Sequence, residues 1–307
     1  MTNELPQIVL AGNAPQEQCR MLNAMLSEEE LADICGITLY GAEGQPEAEA
    51  LKDAVEDYAD GQVQGVVCLP FATPHVDVLK EFLAEDANAI FNLFVNSRMK
   101  MASVLGNVES VSDDAPVTVQ AIVTRGIQVA KALKRDFMIQ NPRLAILAMP
   151  GAPAGTDSEE DTDIVALAVG ELQKEGIQAF GPVDRAGFFS PDMYQEYDVL
   201  IEAFDGQCMP EFEAMADGSP LTLIAGVDAP VVASPYDGVL HAIYLAIDVE
   251  RHRREYDAPF ANPLPKLYKE RREDGDKARF AVKKKGFNPA EHRRENVNYT
   301  TIAKPKA

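Results

Sequence analysis

Short apolar runs, each closed by glycine or proline and separated by stretches with a helical period, recur along this chain as far as Pro235. The first three are Ile8-Val-Leu-Ala-Gly12, Gly36-Ile-Thr-Leu-Tyr-Gly41 and Val63-Gln-Gly-Val-Val-Cys-Leu-Pro70. Runs of about four to eight apolar or β-branched residues bounded in this way read as buried strands. Lys100 to Asn107, Leu144 to Met149, Ile177 to Pro182, Asp198 to Phe204, Leu221 to Gly226 and Pro230 to Pro235 continue the series. Between them the period changes to that of a helix. From Pro46 to Tyr58, residues Ala48, Leu51, Ala54, Val55 and Tyr58 share a face. After Pro116, residues Val119, Ile122, Val123, Ile127, Ala130, Leu133 and Phe137 keep a period near 3.6 until Pro142. Thr156-Asp-Ser-Glu-Glu160 supplies capping chemistry for a helix through Leu172, and a closing helix runs from about Gly238 into Arg251. Strand and helix in alternation give an α/β protein with a largely parallel sheet, whose ligands belong at the carboxyl ends of the strands.

Charge divides the chain. Of 28 Lys/Arg, 16 lie in residues 251–307, against only 8 of the 49 Asp/Glu, so this tail carries a net +8 and the first 250 residues −29. Such an acidic body repels nucleic acid and anionic membranes, so neither is an expected partner. No apolar run reaches the length of a membrane span, and the start has no signal-peptide pattern. The four cysteines are scattered without a C-x-x-C spacing, which fits reduced thiols in a cytoplasmic protein. The expected division is a first α/β domain over 1–135, a second over 136–250, and a basic tail over 251–307, extended or without order of its own.

The usual nucleotide motifs are absent: neither G-x-G-x-x-G nor G-x-x-x-x-G-K-[ST] occurs. Gly151-Ala-Pro-Ala-Gly155 sits between strand and helix, but Asp157, Glu159 and Glu160 just downstream oppose a phosphate there. Histidines are few, and none occurs between Val76 and Leu240. His241 reads as a packed or surface residue, and His252 and His292 as solvated. His75, in Pro70-Phe-Ala-Thr-Pro-His-Val-Asp77, follows a strand end and is the one histidine in a plausible site position.

The order of segments from Gln62 to Asp248 resembles the 4-hydroxythreonine-4-phosphate dehydrogenase (PdxA) family. The resemblance rests on Leu133-Lys-Arg-Asp-Phe137, Pro142-Arg-Leu-Ala-Ile-Leu-Ala148, Glu175-Gly-Ile-Gln-Ala-Phe-Gly-Pro182, Phe188-Phe189, Asp198-Val-Leu-Ile-Glu-Ala-Phe-Asp-Gly-Gln207 and Ala242-Ile-Tyr-Leu-Ala-Ile-Asp248. It implies a two-domain, isopropylmalate-dehydrogenase-like α/β/α fold, a homodimer with its site near the subunit interface, NAD as cofactor, and a phosphorylated substrate. It also locates the departures. Where the family has Asn-Pro-His-Ala-Gly, this chain has Gly151-Ala-Pro-Ala-Gly155, so Pro153 stands in place of a metal histidine. Tyr-His-Asp-Gln-Gly becomes Phe204-Asp-Gly-Gln-Cys208, and Ser-Pro-Asp-His-Gly becomes Ser234-Pro-Tyr-Asp-Gly238, so Asp205 and Asp237 replace the other two. The family's stretch near the cofactor is deleted between Gly238 and Leu240, and Gly106-Asn107 stands for a Gly-His pair. His75-Val-Asp77 is placed at the family's substrate-binding His-Thr-Glu.

These replacements set the functional expectation. Proline offers no side-chain donor, and two carboxylates would favour Mg²⁺ or Mn²⁺ over Zn²⁺. A resident divalent metal is therefore not expected, nor is the standard dehydrogenase reaction, and the chain reads as a pseudoenzyme of the family. Two other readings stay open. One is an altered oxidoreductase or decarboxylase using NAD, with His75, Asp205 and Asp237 as its site. The other is a non-catalytic protein that binds a partner through its basic tail.

Overall fold

The computed structural model describes residues 5–12, 20, 24, 34–41, 46–69, 78–79, 89–107, 117–149, 159–190, 193–204, 206–218 and 220–261. By their contacts, residues 1–256 make one compact unit and 257–307 a second. Ten strands of the first unit form one sheet: β1 (Gln7–Ala11), β2 (Gly36–Tyr40), β3 (Gly65–Cys68), β4 (Phe91–Val95), β5 (Lys100–Asn107), β6 (Arg143–Leu147), β7 (Gln178–Val183), β8 (Val199–Glu202), β9 (Leu221–Ala225) and β10 (Val231–Ala233). Their order across the sheet is β2-β1-β3-β10-β9-β4-β5-β8-β6-β7. Most pairings are parallel, as the alternation requires. Only β10–β9, β9–β4 and β4–β5 are antiparallel among the described strands.

Alternation along each strand sorts side chains to the two faces. Leu144, Ile146, Val199 and Ile201 join one apolar cluster, while Ala145, Leu147 and Leu200 join another. The first face is covered by α2 (Val119–Asp136), α3 (Glu159–Lys174) and α6 (Val239–Ala261), through residues such as Ile122, Leu133, Val165, Leu172, Ile243 and Ala246. On the other face, α1 (Glu47–Ala59) packs Leu51, Ala54 and Val55 against Val9 and Val66. Farther along that face, Phe188 of α4 (Arg185–Phe188) and Phe212 of α5 (Met209–Met215) cover Met101 and Leu200. Each such aliphatic or aromatic side chain contributes about 1.5–3 kcal/mol by leaving water. This is an α/β/α arrangement, the layering that the family resemblance implies, around the largely parallel sheet expected from the pattern of runs.

Helix boundaries follow local chemistry. The Thr118 side chain accepts from Ala121 N at 3.1 Å and starts α2. The α2 face differs from the sequence reading at Ile127, which is 41% exposed. Gly126 takes the contact instead: a Cβ there would lie 2.8 Å from the Leu172 side chain, so α2 and α3 meet at this glycine. His252 also departs from expectation. Its Nδ1 lies 2.8 Å from Asp136 O, and the ring is half-buried rather than solvated. Next to it, Arg253 forms a buried, two-pronged pair with Asp136 at 2.7 and 3.0 Å and donates to Val227 O and Asp228 O. This pair joins α6 to the end of α2 and to the turn between β9 and β10.

Candidate functional site

Strand direction locates the candidate site. The parallel strands β5, β8, β6 and β7 have their carboxyl ends at one edge of the sheet. The antiparallel steps β5–β4, β4–β9 and β9–β10 reverse the sense, so β10, β3, β1 and β2 end at the opposite edge. Within the first set, β6 leads into α3 on one face and β8 leads into α5 on the other. Where neighbouring strands send their chains to opposite faces, a crevice opens between their carboxyl ends. The residues after β6 and β8 flank such a crevice.

The described wall of this crevice is built around Glu202, the last residue of β8, which is fully buried. Its side chain shares a face with Leu200 and so meets β5 and the turn that follows β8. Glu202 Oε1 accepts from Ser103 Oγ at 3.0 Å and from Gly206 N at 3.1 Å, and Oε2 accepts from Cys208 N at 2.7 Å. Gln207 Oε1 accepts from Ala203 N at 3.1 Å across the same turn. Gly206 has φ +82°, a left-handed conformation that suits glycine. Cys208 is buried, and its thiol is pushed up to about 12 by burial and by the Glu202 charge, so it is a thiol rather than a nucleophile at neutral pH. Beyond it, Arg185 at the start of α4 grips Glu211 of α5 with bonds of 2.9 and 2.7 Å. The hydrogen bond that Arg185 donates to Glu211 raises the Arg185 pKa.

At the opposite edge, β10 runs into Ser234-Pro235 and a 3₁₀ turn, Tyr236–Gly238. Ser234 N donates to Cys68 O at 3.0 Å, and Gly238 N to Pro235 O at 3.0 Å. A Cβ at Gly238 would meet Ser234 Oγ at 2.8 Å, so this turn also calls for glycine. Asp237 projects from it as an exposed side chain. His75, Pro153 and Asp205 lie outside the described residues, although Phe204 and Gly206 place the turn that carries Asp205 at the carboxyl end of β8. The turn after β8 and the turn after β10 thus lie at opposite edges, four strand spacings apart across the sheet, or about 19 Å. Within one chain, Gly206 and Asp237 therefore stand at opposite edges of the sheet.

Among the described residues, no group of three His, Cys, Asp or Glu side chains has the spacing of a metal site. No described helix is long and apolar enough to cross a membrane. Sequence reasoning passed over Glu202. Its signal was an acid inside the apolar run Val199-Leu-Ile-Glu-Ala203, where a charge must be matched by donors if the run is a buried strand.

A family model described as pyridoxal phosphate biosynthetic protein PdxA matches residues 13–243. A curated protein from Bacteroides thetaiotaomicron, named 4-hydroxythreonine-4-phosphate dehydrogenase, is 29% identical over 266 residues, covering 77% of this chain and 72% of its own length. A protein of the same name from Xanthomonas axonopodis pv. citri is 26% identical over 211 residues, covering 64% of this chain and 65% of itself. Among solved structures, a 4-hydroxythreonine-4-phosphate dehydrogenase from Klebsiella pneumoniae superposes with TM-score 0.54 at 13% identity, over 82% of this chain and 98% of that one. A branched-chain phosphotransacylase from Enterococcus faecalis gives TM-score 0.53 at 15% identity, over 80% and 99%. These two likenesses show the fold.

Proposed function

Because the chain belongs to the PdxA family, we propose that it keeps the family's scaffold and crevice without the family's metal-dependent hydride transfer. The observation that carries this reading is the donor set. At the three positions where the resemblance places metal histidines, the chain has Pro153, Asp205 and Asp237. Proline contributes no donor, and Gly206 and Asp237 stand at opposite edges of the sheet. A tri-imidazole metal does not fit these residues. What the chain itself offers at the crevice is a fixed turn: Glu202 holds Gly206 and Cys208 in place, and the paired Arg185 stands beside it. Such an arrangement suits binding better than proton abstraction, since the described thiol stays protonated and the buried acid is occupied by donors.

A second reading is favoured by the acids themselves. Two carboxylates suit Mg²⁺ or Mn²⁺, and a cytoplasmic homodimer could bring Asp205 of one copy to Asp237 of the other. That protein would be an altered NAD-dependent oxidoreductase or decarboxylase acting on a phosphorylated hydroxy-acid, with His75, Asp205 and Asp237 as its site. Metal analysis of the purified full chain, combined with an NAD titration and an assay on 4-hydroxythreonine 4-phosphate, separates the two. The first reading expects substoichiometric divalent metal and no NADH formed. One divalent ion per chain together with NAD reduction overturns it in favour of the second.

A further inference from the structure

A cavity of about 470 Å³ lies away from both turns, where the last three turns of α2 face the β9–β10 connection. Lys131, Arg135 and Arg253 line it, together with Phe91, Gly226 and Asp228. Its volume falls within the range of small-molecule sites, about 300–1,000 Å³.

Its walls are fixed. Gly226 has φ +85° and sits so close to Ala89 O that no Cβ fits between them. The following residues are tied down by Tyr58 Oη donating to Asp228 O at 3.0 Å and by Arg253 Nη1 donating to Val227 O and Asp228 O at 3.2 and 2.8 Å. Arg253 and Asp136 are 3% and 2% exposed, so a charged pair is built into the wall. The Arg253 bonds use Nε, both hydrogens on Nη1 and one on Nη2, which leaves one further N–H on Nη2.

The charges are unusual for this chain. Residues 1–250 have only 12 Lys/Arg, and four of them (Arg125, Lys131, Lys134 and Arg135) fall within α2. The negative field at a helix C-terminus accounts for Lys134 and Arg135 in the last turn. It does not account for Lys131 a turn earlier, which stands one turn from Arg135 on the side of the helix that lines the cavity. The lining carries three cations, Lys131, Arg135 and Arg253, against two acids, Asp136 and Asp228.

We propose that this cavity binds a small, multiply charged anion, held by Lys131 and Arg135 with the remaining Arg253 N–H as a third donor. The test is calorimetric titration of the full chain at low ionic strength, where screening is weakest. Inorganic pyrophosphate and citrate are the probes, one for phosphate and one for polycarboxylate chemistry. The expected result is saturable binding of at least one probe. That binding weakens about tenfold in Lys131→Gln and is lost in Lys131→Glu/Arg135→Glu. Arg185→Gln, at the crevice, leaves it in place. Lys131 is exposed, so its replacement leaves the fold intact. Absence of saturable binding of either probe overturns the proposal. So does equal affinity in the wild type and both α2 variants, or a loss that follows Arg185→Gln alone.

Discussion

Glu202 shows how one buried acid can organise a turn. Its two oxygens gather a hydroxyl from β5 and two backbone N–H groups from the turn after β8. Removing the carboxylate in Glu202→Ala leaves three donors without that acceptor, at a cost of about 3 kcal/mol or more. Glu202→Gln keeps an acceptor oxygen and is expected to cost less. The midpoint of urea unfolding measures both, and equal midpoints for wild type and Glu202→Ala would show that water replaces the carboxylate at no cost. The sequence made the turn visible through Phe204-Asp-Gly-Gln-Cys208. It did not show what holds the turn, because the donors come from Ser103, about a hundred residues earlier, and from the backbone.

At the level of elements, the strands most easily read were those ended by glycine or proline, such as β1, β2 and β7. β4 was missed. Phe91-Asn-Leu-Phe-Val95 is short, carries Asn92 within it and ends in Asn96-Ser97 rather than a glycine or proline stop. The face of α2 was read from its aliphatic residues, yet Arg125, Gly126 and Asp136 are also buried on it. Periodicity registers apolar residues only. It is blind to a glycine that lets two helices approach and to a charge that finds its partner on a distant helix. α6 likewise continues to Ala261, past the change of sign at Arg251, because Arg253 points inward to Asp136. Breaking that pair in Asp136→Ala is expected to destabilise the protein by about 3–5 kcal/mol, since it strands a buried guanidinium. Thermal unfolding checks this. A melting temperature unchanged from wild type would mean that the pair is not what secures α6.

For the whole molecule, the class of fold was legible and the order of the strands was not. Alternating runs specify parallel strands with crossing helices, but nothing local in Leu221–Ala225 or Val231–Ala233 says that these strands lie between β3 and β4. Burial leaves the molecule a second global property. Cys68, Cys208 and Tyr58 are each pushed up to about 12, from 9.0 for the thiols and 10.0 for the phenol, chiefly by burial. In each case the native state keeps a proton that the unfolded chain releases. The stability they contribute is therefore complete below about pH 9 and is lost as the pH rises toward 12. Urea midpoints are expected to fall steadily above pH 9, and less steeply in Cys208→Ala. A flat profile from pH 8 to pH 11 would contradict this.

The reversal of strand direction through β9, β4 and β5 also bears on how substitutions combine. Phe204 and Gly206 after β8 and the turn after β10 stand four strand spacings apart at opposite edges of the sheet, so changes at the two turns are expected to act independently. In a double-mutant cycle, Asp205→Asn and Asp237→Asn are expected to be additive in unfolding free energy, to within about 0.5 kcal/mol, for an isolated chain. A larger coupling that grows with protein concentration would be communication between copies.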